Sequence, residues 1–220
     1  MTEAAKSSRP PARVAWWFGG AALALGVFLR ITRELMEGEV SAGDNAILRT
    51  VEKARTPWLT SAAVDITALG SITLVVLFSV LALLMLVVLR DRMGALQLLA
   101  TSLGAAGLTI VTKAFVERVR PPEAHQLIVV SGFSYPSGHA ASTAALYLTI
   151  AIVAGRYMRH AGARAAMFLA VSVVLVMVGA SRVYLGVHYA TDVASGISLG
   201  AAWALLLAGC FRRFVYRRSP

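Results

Sequence analysis

The chain has 220 residues, a formal net charge of +10, and is 58 % hydrophobic with 15 % charged residues. That length fits one domain, and because soluble domains are roughly 45–50 % apolar and 25 % charged, the composition points to an integral membrane protein. Cys210 stands alone, which excludes a disulfide scaffold and a cysteine-based zinc site. The charge by itself fits nucleic acid, anionic lipid or an acidic substrate, so its placement along the chain has to decide.

Six apolar runs follow in order, at residues 14–29 (extending to 35), 66–89, 93–112, 138–155, 165–181 and 193–211. A bilayer core needs about 20 helical residues, range about 17–25. The runs are rich in Leu, Val, Ala and Gly and hold no internal proline, which suits helices rather than barrel strands. Lys6, Arg9 and Arg13 before the first run resemble the start of a signal peptide. Trp16 and Trp17 sit where interfacial aromatics belong, and the run is expected to be a retained anchor rather than a cleaved segment. Between the first two runs, residues 44–63 are expected to form a short amphipathic helix on the outer surface.

With the N-terminus inside, twelve of the 21 Lys and Arg residues fall on inner segments and nine on outer ones. Six acids, Asp44 among them, offset the five cations of the first outer loop, so both termini are expected on the cytoplasmic side. The expected organisation is an N-terminal tail at 1–13, a six-span domain at 14–211 and a basic tail at 212–220. Arg212, Arg213, Arg217 and Arg218 then form an inner anchor against anionic lipid. The fold expected is an all-α, integral-membrane six-helix bundle, and the charge pattern no longer calls for nucleic acid.

Three segments on the outer side carry nearly all the unusual polar residues: 113–121, 135–139 and 181–192. Ionisable groups at span ends are costly unless paired or solvated, which makes them functional candidates. Lys113, Arg120 and Arg182 are cations, and Pro136-Ser137-Gly138-His139 opens a span. Cations beside a helix N-terminus favour an anion, with Ser137 placed to cap and Gly138 letting an oxyanion approach the backbone. Arginine favours bidentate contact with phosphate oxygens, whereas lysine acts as a point charge. His188 and Asp192 are four apart and share a face if that stretch is helical. A carboxylate on one ring nitrogen fixes the tautomer and frees the other as nucleophile or base, leaving His139 as the acid. That set suffices for phosphoryl transfer by positioning and charge, without a metal.

The three segments resemble the motifs of the type 2 phosphatidic acid phosphatase superfamily, which includes vanadium haloperoxidases: K-x6-R-P, P-S-G-H and S-R-x5-H-x3-D. Lys113, Arg120 and Pro121 match the first, Pro136 to His139 the second, and Ser181, Arg182, His188 and Asp192 the third. The resemblance implies that His188 attacks phosphorus to form a phosphohistidine, that Asp192 holds its imidazole, and that His139 protonates the leaving lipid alkoxide. It further implies that Lys113, Arg120, Ser137, the Gly138 amide and Arg182 bind the phosphoryl oxygens, with no metal or cofactor. The expectation is a metal-independent phosphatase of the bacterial cytoplasmic membrane, its active site on the extracytoplasmic face, acting on polyprenyl diphosphate, phosphatidate or phosphatidylglycerol phosphate. A phosphotransferase using the same intermediate and a lipid-phosphate transporter or binding protein are the alternatives. Substrate choice and oligomeric state stay open.

Other residues receive plainer readings. Glu117, Arg118 and Glu123 read as solvated or salt-bridging loop residues, His125 as an exposed one, and His160 as lying on the inner side. Phe133 and Tyr135 suit an interfacial aromatic belt or the rim of a lipid access path, and Cys210 reads as inert.

Overall fold

The apolar runs become helices in a computed structural model described over residues 12–218, with side chains described from 14 to 213. In chain order these are α1 (Ala12–Met36), α2 (Ser41–Lys53), α3 (Pro57–Ala68), α4 (Ile72–Val88), α5 (Arg92–Val116), α6 (Gly138–Ala154), α7 (Ala161–Tyr184) and α8 (Ala190–Arg218). A single 3₁₀ turn, Glu123–His125, lies in the connection between α5 and α6. Lys6 and Arg9 fall outside the described residues, and Arg217 and Arg218 outside the described side chains.

Four helices, α1, α5, α7 and α8, are long and apolar enough to cross a membrane, and α3 with α4 makes a bent pair at 44°. The apolar α6 is shorter, at 17 residues. The single run expected at 66–89 is therefore broken. Ser71 caps α4 by accepting the Leu74 N–H at 3.3 Å. Gly70 lies so close to α6 and α7 that a Cβ there would sit 2.8 Å from both Thr143 Oγ1 and Val178 Cγ1. The helix expected at 44–63 is likewise two, because Thr56 caps α3 and Pro57 occupies its first turn.

Large apolar side chains point outward, with Ile72 82 % and Phe115 76 % exposed. The interior is lined by small ones, among them Ala140, Ala141, Ala144 and Ala145. Membrane helices pack in this way, since lipid is as apolar as leucine and close backbone approach supplies the attraction. The central seam is α6 against α8: a Cβ on Gly196 would lie 2.5 Å from the Ser137 carbonyl oxygen, and one on Gly200 would lie 2.3 Å from that of Ala141. α1 packs along α8, where the Phe18 ring lies against Gly209. Tyr135 is fully buried between these elements, stacked on Phe28 at 6.3 Å and hydrogen-bonded to Thr32 Oγ1 at 2.7 Å. It is a core residue, not part of a surface belt.

Candidate active site

The ends of α5, α6, α7 and α8 that carry the three polar segments meet at one end of the bundle. α5 stops at Glu117, whose left-handed φ of 49° turns the chain sharply. The extended segment that follows sends Arg118 and Arg120 inward and leaves Val119 79 % exposed. Between α7 and α8, Gly186 takes φ 72°, and a Cβ there would lie 1.9 Å from the His125 carbonyl oxygen. Only glycine fits that turn. Arg55 secures the same loop by donating to the carbonyls of His125 and Tyr184 at 2.8 and 2.9 Å.

His188 stands just before α8, not within it, so the pair does not meet across a helix face as the spacing suggested. Asp192 lies in the first turn of α8 and reaches back to accept the Tyr189 backbone N–H at 2.9 Å, one arm of a capping box. That arm brings its Oδ2 to 3.4 Å from His188 Nδ1. Ser134 Oγ lies 3.3 Å from the same ring nitrogen and donates to Asp192 Oδ2. The opposite ring nitrogen, Nε2, faces Arg120 Nη1 at 3.3 Å. Since a guanidinium only donates, Nε2 is the acceptor and the ring proton sits on Nδ1, shared between Ser134 and Asp192. Burial pushes the His188 imidazole down to about 4, with Asp192 opposing and the charges of Arg120 and Arg182 adding to the shift. The ring is neutral at physiological pH, and its lone pair is on Nε2.

Three cations gather in the site, and Arg120 is the one that faces this nitrogen. Arg120 is braced by the Gly132 and Val187 carbonyls at 2.8 and 2.7 Å, and burial lowers its pKa, opposed by the Asp192 charge. Lys113 Nζ donates to the Phe133 carbonyl at 2.5 Å. Arg182 is 2 % exposed and donates to Thr67 Oγ1 at 3.0 Å. All three, with His188, lie within electrostatic range of His139. Ser137 is fixed by its backbone N–H, which donates to the Asp192 carbonyl at 2.9 Å. Its hydroxyl does not cap α6 as expected. Ser137 Oγ and Arg182 Nε are both buried with no hydrogen-bond partner among the described residues. A Cβ on Gly138 would meet only Thr109 Cγ2, at an ordinary 3.8 Å, so packing does not demand glycine there. The eight residues expected at the site, Lys113, Arg120, Ser137, Gly138, His139, Arg182, His188 and Asp192, are brought to one place.

Four further residues lie against these that the sequence reading did not assign to the site: Asp44, Thr67, Arg118 and Ser134. Of the two readings given for Arg118, solvated or salt-bridging, the second holds: its side chain is 11 % exposed and it bridges Asp192 Oδ1 at 2.6 Å and Asp44 Oδ2 at 2.7 Å. Burial works against its charge, but the two carboxylates hold it above its ordinary pKa. Asp44, expected on a surface helix, is buried. His125 is partly exposed and pairs with Glu52.

The model of the PAP2 superfamily matches residues 94–216, which include all three polar segments. Phosphatidylglycerophosphatase B of Bacillus subtilis is 35 % identical over 184 residues, 83 % of this chain and 90 % of the relative. Decaprenylphosphoryl-5-phosphoribose phosphatase of Mycobacterium tuberculosis is 38 % identical over 103 residues, 44 % of this chain and 50 % of the relative. Among solved structures, that of a transmembrane PAP2 type phosphatidylglycerolphosphate phosphatase from Bacillus subtilis superimposes with TM-score 0.82 at 30 % identity, covering 91 % of this chain and 98 % of that one. LpxE of Aquifex aeolicus shares the fold at TM-score 0.59 and 24 % identity, covering 74 % and 92 %. Apolar helices arranged as in these relatives, around the three matched segments, make this chain a multi-pass integral membrane protein that belongs to the PAP2 superfamily.

Proposed function

We propose that the protein is a lipid phosphatase that works through a phosphohistidine on His188. The observation that carries this reading is a buried, neutral imidazole whose Nε2 lone pair faces Arg120, one of three cations gathered around His139. Two buried donors in the same site, Ser137 Oγ and Arg182 Nε, have no hydrogen-bond partner among the described residues and match the oxygens of a phosphoryl group. Gly138 at the N-terminus of α6 leaves room for such an oxygen to approach the backbone.

In the first step Nε2 attacks phosphorus, the N–P bond forms, and the bond from phosphorus to the lipid oxygen breaks. His139 gives its proton to that oxygen. A histidine set among Lys113, Arg120 and Arg182 takes up this proton together with the substrate's negative charge. Asp192 and Ser134 accept the Nδ1–H and stabilise the charged ring. In the second step water attacks the phosphohistidine, His139 takes its proton, and the N–P bond breaks to release phosphate. Catalysis of this kind is mostly positioning and charge stabilisation, supplied here by the cations without a metal.

The relatives named above act, by their names, on phosphatidylglycerophosphate and decaprenylphosphoryl-5-phosphoribose. The substrate class proposed for this chain is accordingly a lipid phosphomonoester or diphosphate, with phosphatidylglycerol phosphate, phosphatidate and polyprenyl diphosphate as candidates. α6 serves as the sixth crossing, both termini are cytoplasmic, and the site faces the extracytoplasmic side of the bacterial cytoplasmic membrane. The test is phosphate release across a panel of these lipids, with His188→Ala as the blank. Release abolished in the variant supports the reading, and undiminished release overturns it.

A further inference from the structure

Asp192 Oδ2 is occupied by Ser134, Tyr189 N–H and His188, while Oδ1 is held by Arg118. The guanidinium forks. Nη1 takes Asp192 Oδ1 at 2.6 Å and Thr191 Oγ1 at 2.8 Å, and Nη2 takes Asp44 Oδ2 at 2.7 Å. Asp44 in turn accepts the Thr191 N–H at 3.1 Å and the Thr191 hydroxyl at 2.5 Å. The Arg118 guanidinium lies over the Tyr189 ring at 4.1 Å. One planar cation thus locks the start of α8 to α2, and both carboxylates it holds are buried.

We propose that Arg118, anchored by Asp44, is a positioning residue: by fixing Asp192 through its outer oxygen it sets the ring of His188 for attack. The inference rests on the phosphohistidine reading above. A carboxylate gripped at one oxygen only pivots about its own bond, and the His188 ring, joined to it by one shared hydrogen bond, turns with it. Arg118 touches neither His188 nor any of the expected phosphate donors in the contacts described, so its effect falls on the chemical step and not on substrate binding. Lysine keeps the charge but not the fork, so it cannot hold Asp192, Asp44 and Thr191 together.

The experiment is steady-state kinetics on detergent-purified full-length Arg118→Ala, Arg118→Lys and Asp44→Asn, with phosphatidylglycerol phosphate as the probe and the folded fraction measured by size exclusion. Arg118→Ala is expected to lose about 100-fold in kcat with KM unchanged, the scale of a misplacement near 1 Å. Arg118→Lys is expected to recover part of that loss, and Asp44→Asn to show a smaller loss in kcat alone. Where Arg118→Ala does not fold, Arg118→Lys carries the same kcat-against-KM reading. Folded Arg118 variants with wild-type kcat, or with a raised KM and unchanged kcat, overturn the inference. His188→Ala in the same series separates the two readings. If it stays active, the phosphohistidine reading fails; if it is inactive while the Arg118 variants are normal, only the positioning role fails.

Discussion

Along the seam of α6 and α8, Gly196 and Gly200 let the two backbones approach until the carbonyls of Ser137 and Ala141 fill the space of a side chain. α4 is more apolar than either helix of the seam and has the opposite surroundings. Ile72, Leu84 and Val88 are exposed, and clefts of about 340 Å³ (Met85, Leu89, Val153) and about 290 Å³ (Val76, Ser79, Leu99, Ser142) flank it. Hydropathy alone would single out α4 as the tighter core; the small residues at i, i+4 mark the seam instead. The seam holds Ser137 and His139 on one helix at a fixed distance from His188 and Asp192 at the start of the other, whereas α4 touches none of them in the contacts described. Close packing therefore falls where the geometry of the candidate site has to be held.

Four substitutions and one titration test that contrast, in descending order of effect. Gly200→Val places a branched side chain where a Cβ already sits 2.3 Å from the Ala141 carbonyl oxygen. Little folded protein is expected by size exclusion, and a normal yield with normal activity would show that the seam is not a fixed spacer. Ser137→Ala removes a hydroxyl that has no hydrogen-bond partner among the described residues. Its Tm is expected to stay put while kcat falls about 100-fold, as when an oxyanion donor is lost; a lowered Tm with intact kcat would make it structural. Gly196→Ala pushes α6 and α8 apart by less than valine at 200, and a loss of about tenfold in kcat, or about 1.4 kcal/mol in the barrier, is expected from the same assay.

The titration probes His188 on the α8 side of the seam. The proposed nucleophile is the neutral ring, and burial holds its pKa near 4 against about 6.5 for an ordinary imidazole. Quenched-flow formation of the phosphohistidine is accordingly expected to persist as pH falls from 7 to 5 and to be lost only near 4. Loss centred on the ordinary value would mean that the ring is solvated. On the loose side, Leu84→Ala on exposed α4 is expected to change stability and kcat by no more than about 0.5 kcal/mol. A large effect there would erase the contrast.

Much of the site was legible because its residues are spaced within short motifs: Lys113 to Arg120, Ser137 to His139, Arg182 to Asp192. What spacing does not encode is pairing across the fold. Arg118 is 74 residues from each of its carboxylate partners, so nothing local marked Asp44 as buried. The alternation Arg118-Val119-Arg120 ahead of Pro121 was the available signal, since an extended segment before proline sends alternate residues to one side. Ser134 lies one residue before the 135–139 segment and is buried beside His188. The breaks before α3 and α4 were marked by Pro57 and by Gly70-Ser71, but the apolar runs around them outweighed these markers.

α1 finds its main partner in α8, and Asp44 reaches Thr191 across 147 residues of sequence. A chain emerging N-terminus first therefore inserts its opening helix long before the surface that helix fits has been made. Until α8 arrives, Asp44 and Arg118 have only each other, and the groove that takes Phe18 does not exist. Closure between α1 and α8 therefore waits until α8 has been made, and the cluster at the start of α8 cannot form before it.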